Sequence, residues 1–260
     1  MHFNSVSRRT LLTLAAAGVL AAAVPAAAQE PVANEPVANE PVANEPVKAA
    51  VPARIGIIGA GNIGGTLGSF WAKAGHAVML SSRHPEELKT LVEGLGPRAR
   101  AGTPAEAIAF GDVVVVAVPY KAYPQLARDY AAAWAGKVVI DAGNATQARD
   151  GEVYGEVQAQ GIAAVSAKYL AGARIVRAFN FANYKLFAKN AHRDGGRMGI
   201  PLAGDDPQAL ATVSRLVEEA GFDPVVVGPL AKADSFAMGS PGFGLEITGP
   251  ELRSRLGVAR

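Results

Sequence analysis

The stretch IGIIGAGNIGG at 55–65 constrains this chain more than any other. An apolar run passes into a glycine-rich loop, and the loop passes into a helix-forming segment. Gly59-Ala60-Gly61-Asn62-Ile63-Gly64 fits G-x-G-x-x-G, in the strand-to-helix context that gives the motif its meaning. Gly59 allows the tight turn, Gly61 lets backbone approach a pyrophosphate, and Gly64 lets the helix pack on the strand. The free N–H groups and positive dipole end of that helix then face the phosphates. The motif reads as a dinucleotide-binding turn.

The rest of the chain fits that turn. From Ala53 onward, short apolar runs alternate with helix-length segments. RIGIIG, HAVMLSS, DVVVVAVP, KVVIDAGN, ARIVRAFN, MGIPLAG and DPVVVG read as strands. GTLGSFWAKAG, HPEELKTLVEGL, KAYPQLARDYAAAW and PQALATVSRLVEEAG read as helices, the second with Pro85 and acids in its first turn. The unbroken valines of DVVVVAVP belong to a strand covered on both faces. This alternation predicts an α/β fold: a Rossmann-type, doubly wound, mostly parallel sheet in a single compact domain over 53–260. Half the residues are hydrophobic and 18% are charged, enough for a real core.

The end of the second strand bears on which dinucleotide is held. NAD-preferring folds usually place Asp or Glu there for the ribose 2′-OH. Here the strand ends Leu80-Ser81-Ser82-Arg83, with no acid until Glu86. Two hydroxyls and a guanidinium suit a 2′-phosphate, so NADP(H) is favoured over NAD(H). Lys89 adds charge to that site or is a plain surface lysine. Three further segments should reach the crevice where open sheets bind ligands. Val118-Pro119 would pass under the nicotinamide ribose. Asp141 and Asn144 either bond ribose or carboxamide, or cap a loop. Asn180 lies in AFNFAN and would orient the nicotinamide or the acceptor; it is the one catalytic candidate, a weak one. Phe179 and Phe181 read as core rather than a stacking platform.

Several chemistries lack their residues. The chain has no cysteine, and His2, His76, His84 and His192 show no ligand spacing, so no metal site is expected. No tyrosine precedes a lysine by four positions, no G-x-S-x-G occurs, and no paired acids suggest a glycosidase. Hydride transfer to a ring acceptor needs few such groups, because the cofactor carries the chemistry. An imine or keto reductase would need a proton donor, for which Lys168, Tyr184 and Lys185 are poor candidates. A dinucleotide-binding sensor or partner subunit without turnover is the other alternative.

The N-terminus reads as separate from the fold. Residues 1–28 have a short charged region with Arg8-Arg9, an apolar run from Leu11 to Val24, and Ala26-Ala27-Ala28 as a cleavage site. SRRTLL favours a twin-arginine export signal, hence a periplasmic or otherwise exported protein. The apolar run is short for a membrane span, so none is expected in the mature protein. Residues 29–52 hold a Glu-Pro-Val-Ala-Asn repeat whose regular prolines block helix and sheet, and read as an extended, disordered linker. Residues 1–28 contain Arg8 and Arg9 and no acid, so without them the formal charge of +2 falls to 0. Neutral charge gives no electrostatic case for nucleic acid. A homodimer is allowed but not specified.

IGIIGAGNIGGTLG, SSRHPEEL, VVVVAVPY, IVRAFN and PLAGDDPQALATVSRLVEEAGFDPVVVGPL together resemble the coenzyme F420-dependent NADP oxidoreductase family, over about residues 54–250. The same module is similar to the NADPH domain of transmembrane metalloreductases and the N-terminal domain of pyrroline-5-carboxylate reductases. The resemblance implies NADP(H) as cofactor and hydride exchange with a deazaflavin such as F420, a flavin or a similar small-molecule redox acceptor. It implies that Gly59, Asn62, Ile63, Gly64, Ser82, Arg83, Val118 and Pro119 hold the cofactor. Only about 80 residues follow Asn180, which fits compact members without an added helical domain. The departure is on the acceptor side. The family's deazaflavin reductases often carry histidine where Asn180 falls, and SFAMGSPGFGLEITGPELRSRLG aligns with no acceptor site.

Overall fold

The computed structural model describes residues 51–258; the arginine pair, the cleavage site and the Glu-Pro-Val-Ala-Asn repeat lie outside the described residues. The chain runs β1 (Arg54–Ile58), α1 (Asn62–Lys73), β2 (Ala77–Ser81), α2 (Lys89–Leu95), β3 (Ala99–Gly102), α3 (Pro104–Phe110), β4 (Val113–Val116), α4 (Tyr123–Tyr130), β5 (Val138–Asp141), α5 (Gln147–Gln160) and α6 (Ile162–Tyr169). It continues β6 (Arg174–Arg177), α7 (Tyr184–Asn190), β7 (Gly199–Gly204), α8 (Pro207–Glu219), β8 (Asp223–Gly228) and α9 (Gly249–Arg255). The eight strands form one sheet in the order β3-β2-β1-β4-β5-β6-β7-β8. This is the doubly wound Rossmann-type sheet the alternation predicts, with the crossover between β1 and β4.

Burial explains why these runs are strands. Every residue of β4 is at most 2% exposed, and Val138, Val139 and Ile140 of β5 are buried beside them. Helices cover both faces, so the central strands are apolar throughout rather than alternating. Trp71 of α1 is fully buried, and its indole N–H donates to the Leu216 carbonyl of α8. Phe179 meets Trp71, Phe187 and Phe222 edge to face. Phe179 and Phe181 are thus core, as their sequence setting indicates.

The last unit is turned over. β1 to β6 run parallel, but β7 pairs antiparallel with β6, and β8 then runs parallel to β7. MGIPLAG to DPVVVG is therefore the expected strand–helix–strand unit, inverted relative to the rest of the sheet. Its strands point away from the edge where β1, β2, β4, β5 and β6 end.

The sequence leaves 96–111 and 145–172 without elements, and both hold structure. β3 is a four-residue edge strand, ARAG, too short and exposed to show a period. α3 is seven residues long, with a reciprocal cap between Thr103 and Glu106. α5 contains a break at Gly151 (φ 53°, ψ −124°) and has no clear apolar stripe. The helix expected over 121–134 is three pieces, with 3-10 turns at Tyr120–Ala122 and Ala131–Trp134 flanking α4. The one expected over 84–95 opens as a 3-10 turn, Pro85–Leu88.

Helix α1 begins at Asn62, earlier than the sequence indicates, and Gly64 sits in its first turn. A Cβ at Gly64 would stand 1.9 Å from the Gly59 carbonyl oxygen, which is backbone and cannot swing away. Around Gly61 a Cβ would meet nothing within 4 Å. Gly64→Ala should therefore lose about 1–3 kcal/mol in denaturant unfolding, as overpacked sites do. Gly61→Ala should stay within about 0.5 kcal/mol of the unaltered chain. Equal stability of the two variants would contradict this packing.

Candidate functional site: the carboxyl edge of the sheet

The glycine turn is shaped by contact with its neighbours. Gly59 has φ 99°, and its N–H donates to the Ser81 carbonyl at 3.3 Å. A Cβ there would lie 2.6 Å from the Ala117 carbonyl oxygen, so β1, β2 and β4 converge on this residue. Gly61 is the N-cap of α1 and supplies no side-chain cap, and the first turn carries no acid. The leading N–H groups of α1 are thus left without a side-chain partner, at the positive end of the helix dipole.

A cavity of about 740 Å³ opens beside this turn. Gly59, Ala60 and Gly61 line one part of it, Ser81, Ser82 and Arg83 another, and Val118 and Pro119 a third. Its volume lies in the range of small-molecule and cofactor sites. Ser81 is fully buried and its hydroxyl has no partner among the described residues. The Ser82 hydroxyl accepts the His84 N–H at 3.1 Å, shaping the turn that carries Arg83. Arg83 is exposed, and no acid lies within ion-pair distance of it among the described residues. Lys89 stands instead over Glu93, at 4.0 Å on its own helix.

The structure adds residues that the sequence did not single out. Leu88 and Pro104 border the cavity, as do Lys121, Gln125, Asp129 and Tyr130 from the turn after β4 and from α4. Gln125 donates to Asp129 at 2.5 Å and accepts from Arg128 at 2.6 Å, so that helix face is bound to itself. No motif marks these positions; their places follow from where α4 packs.

Asn144 and Asn180 come together, but outside that cavity's lining. The Asn144 amide donates to the Asn180 carbonyl. The Asn144 Oδ1 and both side-chain amide atoms of Asn180 have no partner among the described residues. Asn180 is 1% exposed, so no open path from solvent reaches its side chain here. Unsatisfied buried polar atoms cost about 1–3 kcal/mol each, which makes this pair a place where a polar ligand group would be gained.

Asp141 is not available to a ribose. Its carboxylate is fully buried, accepts from Tyr123 at 2.6 Å and from Arg177 at 2.7 Å, and also takes the Gly143 N–H at 3.0 Å. The loop-cap alternative is the one the geometry supports. Arg177, also fully buried, reaches the Gly143 carbonyl at 2.6 Å and the Ser166 hydroxyl at 3.0 Å. Tyr120 stacks on Tyr123 at 4.1 Å and shares a 2.7 Å hydrogen bond with Ser166. Burial, then the Asp141 charge, pushes both phenols up, so they stay protonated. Burial works against the Arg177 charge, but Asp141 and the tyrosines beside it outweigh that and raise its pKa. The sequence hides this cluster because Arg177 sits inside an apolar strand.

The proton-donor candidates fare poorly. Lys168 is bound to Glu156 at 2.6 Å, and the Tyr169 hydroxyl takes the other Glu156 oxygen at 2.6 Å. Tyr184 and Lys185 open α7 behind the Asn183 cap, where the Asn183 side chain accepts the Lys185 N–H. No cluster of metal-ligating side chains and no helix long and apolar enough to cross a membrane occurs among the described residues.

Residues 54–145, which hold β1 to β5 and the turns between them, match the model of the NADP oxidoreductase, coenzyme F420-dependent family. Over these residues the chain is similar to that family. Metalloreductase STEAP3 of Rattus norvegicus is 29% identical over 180 residues, 69% of this chain and 35% of that protein. The chain thus spans about a third of the length of this curated relative. Protein SMa0349 of Sinorhizobium meliloti superposes with a TM-score of 0.65 at 28% identity, covering 76% of this chain and 96% of that one. A candidate F420-dependent NADP-reductase of Arthrobacter sp. FB24 shares the fold at a TM-score of 0.57 and 21% identity, covering 75% and 99%. The family match stops at 145, short of Arg177 and Asn180.

Asp150 pins the edge of the site. Its buried carboxylate accepts from the Thr146 N–H at 2.7 Å, the Lys121 N–H at 3.0 Å and the Arg149 guanidinium at 2.9 Å. Burial pushes its pKa up, but these donors outweigh that and hold it below the usual carboxylate value. A depressed carboxylate stabilises the fold above its unfolded pKa of about 4 and loses that contribution as pH falls through the folded value. Asp150→Asn should be less stable than the unaltered chain at pH 7, and the gap should narrow as unfolding is measured toward pH 3. A gap independent of pH would contradict the ionised pairing.

Proposed function

We propose that this chain binds NADP(H) in the cavity at the carboxyl edge and exchanges a hydride with a flavin-like or deazaflavin ring. The observation that carries the reading is one cavity bordered by both the glycine turn and Ser81-Ser82-Arg83. The bare amino end of α1 suits a pyrophosphate, and the open space at Gly61 lets it approach. The unpartnered Ser81 hydroxyl, the Ser82 hydroxyl and the Arg83 guanidinium suit a 2′-phosphate. Val118 and Pro119 then border the ribose on the nicotinamide side, and the amides of Asn144 and Asn180 suit the carboxamide. When bound, the nicotinamide supplies or takes the hydride. The protein's part is to bind, orient and exclude water, which needs no general acid among these residues.

The family match and the rat metalloreductase's name support the redox reading; the acceptor is inferred from the family's name. The sealed Asn180 side chain favours a second reading, a dinucleotide-binding module without turnover. Export in the folded state, which Arg8-Arg9 and Ala26-Ala27-Ala28 support, would let the protein carry its nucleotide with it. Fractionation of cells producing the full chain should place it outside the cytoplasm; retention in the cytoplasm would contradict export.

Titration of the purified protein with NADPH and NADH should show preference for NADPH. Arg83→Ala should weaken NADPH binding by about 1.5–3 kcal/mol, the worth of a charge-assisted hydrogen bond, and leave NADH nearly unchanged. Gly61→Ala should weaken both nucleotides while leaving stability intact. Equal losses for NADPH and NADH in Arg83→Ala would contradict the 2′-phosphate role. NADPH binding without oxidation by FMN or F420 would favour the second reading.

A further inference from the structure

We propose that the buried Asp141–Arg177 pair is a positioning device for the nicotinamide end of the site, holding the Gly143-Asn144 turn so that the buried amide atoms of Asn144 and Asn180 stay unpaired for a ligand carboxamide. The proposal rests on the NADP(H) reading above.

The chain of contacts is continuous. Asp141 takes the Gly143 N–H at 3.0 Å and Arg177 donates to the Gly143 carbonyl at 2.6 Å, so Gly143 is held on both of its backbone polar groups. A Cβ at Gly143 would meet the Tyr123 hydroxyl at 2.2 Å, so the turn is also pressed against the ring that bonds Asp141. The next residue, Asn144, donates to the Asn180 carbonyl, three residues beyond Arg177. The two side chains thus hold the turn that leads into Asn144, and Arg177 stands on the strand that leads to Asn180.

Two features point past a purely structural role. A fully buried ion pair adds little over a well-packed apolar pair, because desolvation offsets the attraction. And three amide atoms at Asn144 and Asn180 go unpaired beside it. A free turn would rotate to pair them with each other; a turn clamped at Gly143 does not. A primary carboxamide offers both a donor and an acceptor, which matches a free Oδ1 on Asn144 and a free amide group on Asn180. Arg149 adds a second hold, donating to the Asn144 carbonyl at 2.5 Å.

The test compares two ligands that share an adenosine end. NADPH carries the carboxamide; adenosine 2′,5′-bisphosphate does not. The variants are Arg177→Lys, which keeps a charge but cannot span Asp141, Ser166 and Gly143 as the guanidinium fork does, and the double replacement Asp141→Leu with Arg177→Met, which removes both charges. Thermal unfolding establishes which variants fold; if the double variant does not, Arg177→Lys and Tyr123→Phe carry the test. Folded variants should keep their affinity for the bisphosphate and lose about tenfold for NADPH, one hydrogen bond's worth. Asn144→Ala should show the same split. A folded Arg177 variant with unchanged NADPH affinity, or with equal losses for both ligands, overturns the positioning role. Failure of the unaltered chain to bind either ligand overturns the NADP(H) reading itself, and this appears in the first titration.

Discussion

The closeness of backbone to backbone at the first turn is the constraint on which the site depends. Gly59 touches the chain after β4, Gly64 touches Gly59, and Gly56 touches α3, each at a distance that leaves no room for a side chain. β1, α1, α3 and β4 are drawn together by these contacts, and the turn is placed at the sheet's carboxyl edge. Gly61, alone of the motif's three glycines, faces open space. The motif therefore does two jobs with one residue type. Two glycines serve packing, and the third leaves open space beside the turn.

The other end of the edge is built by opposite means. Where β1 and β4 approach through the absence of side chains, β5 and β6 are joined by large buried polar ones. Asp141, Arg177, Tyr120, Tyr123 and Ser166 form one hydrogen-bonded cluster under the Gly143-Asn144 turn. Beyond it the sheet reverses at β7, so no further strand end extends the edge. The carboxyl edge of the sheet thus has close-packed glycine at β1 and a buried ion pair at β5 and β6.

Much of the architecture was legible because the central strands are covered on both faces, and full burial writes an unbroken apolar run into the sequence. The glycine turn and Ser81-Ser82-Arg83 were legible because backbone geometry and charge restrict those positions to few residue types. β3, α3 and the broken α5 were not, since short exposed elements need no periodic pattern. The reversal at β7 left no mark, because a buried strand reads the same in either direction. Asp141 was seen but not understood: a carboxylate at a strand end looks alike whether it faces a ribose or a buried arginine. The cavity wall from α4 and the turn before it escaped notice because Lys121, Gln125 and Tyr130 are common surface residues whose places depend on helix packing.

By itself, the sequence determined a Rossmann-type α/β sheet with a glycine-rich strand-to-helix turn and a cationic end to the second strand. It did so because φ above zero, close backbone approach and two-sided burial each admit few residues. Only the tertiary structure decided that Asp141 belongs to Arg177, that Asn144 and Asn180 meet with their amides unpaired, and that the last unit is inverted. These join residues tens of positions apart, and no local rule of spacing specifies which distant side chain will stand within 3 Å of a given carboxylate.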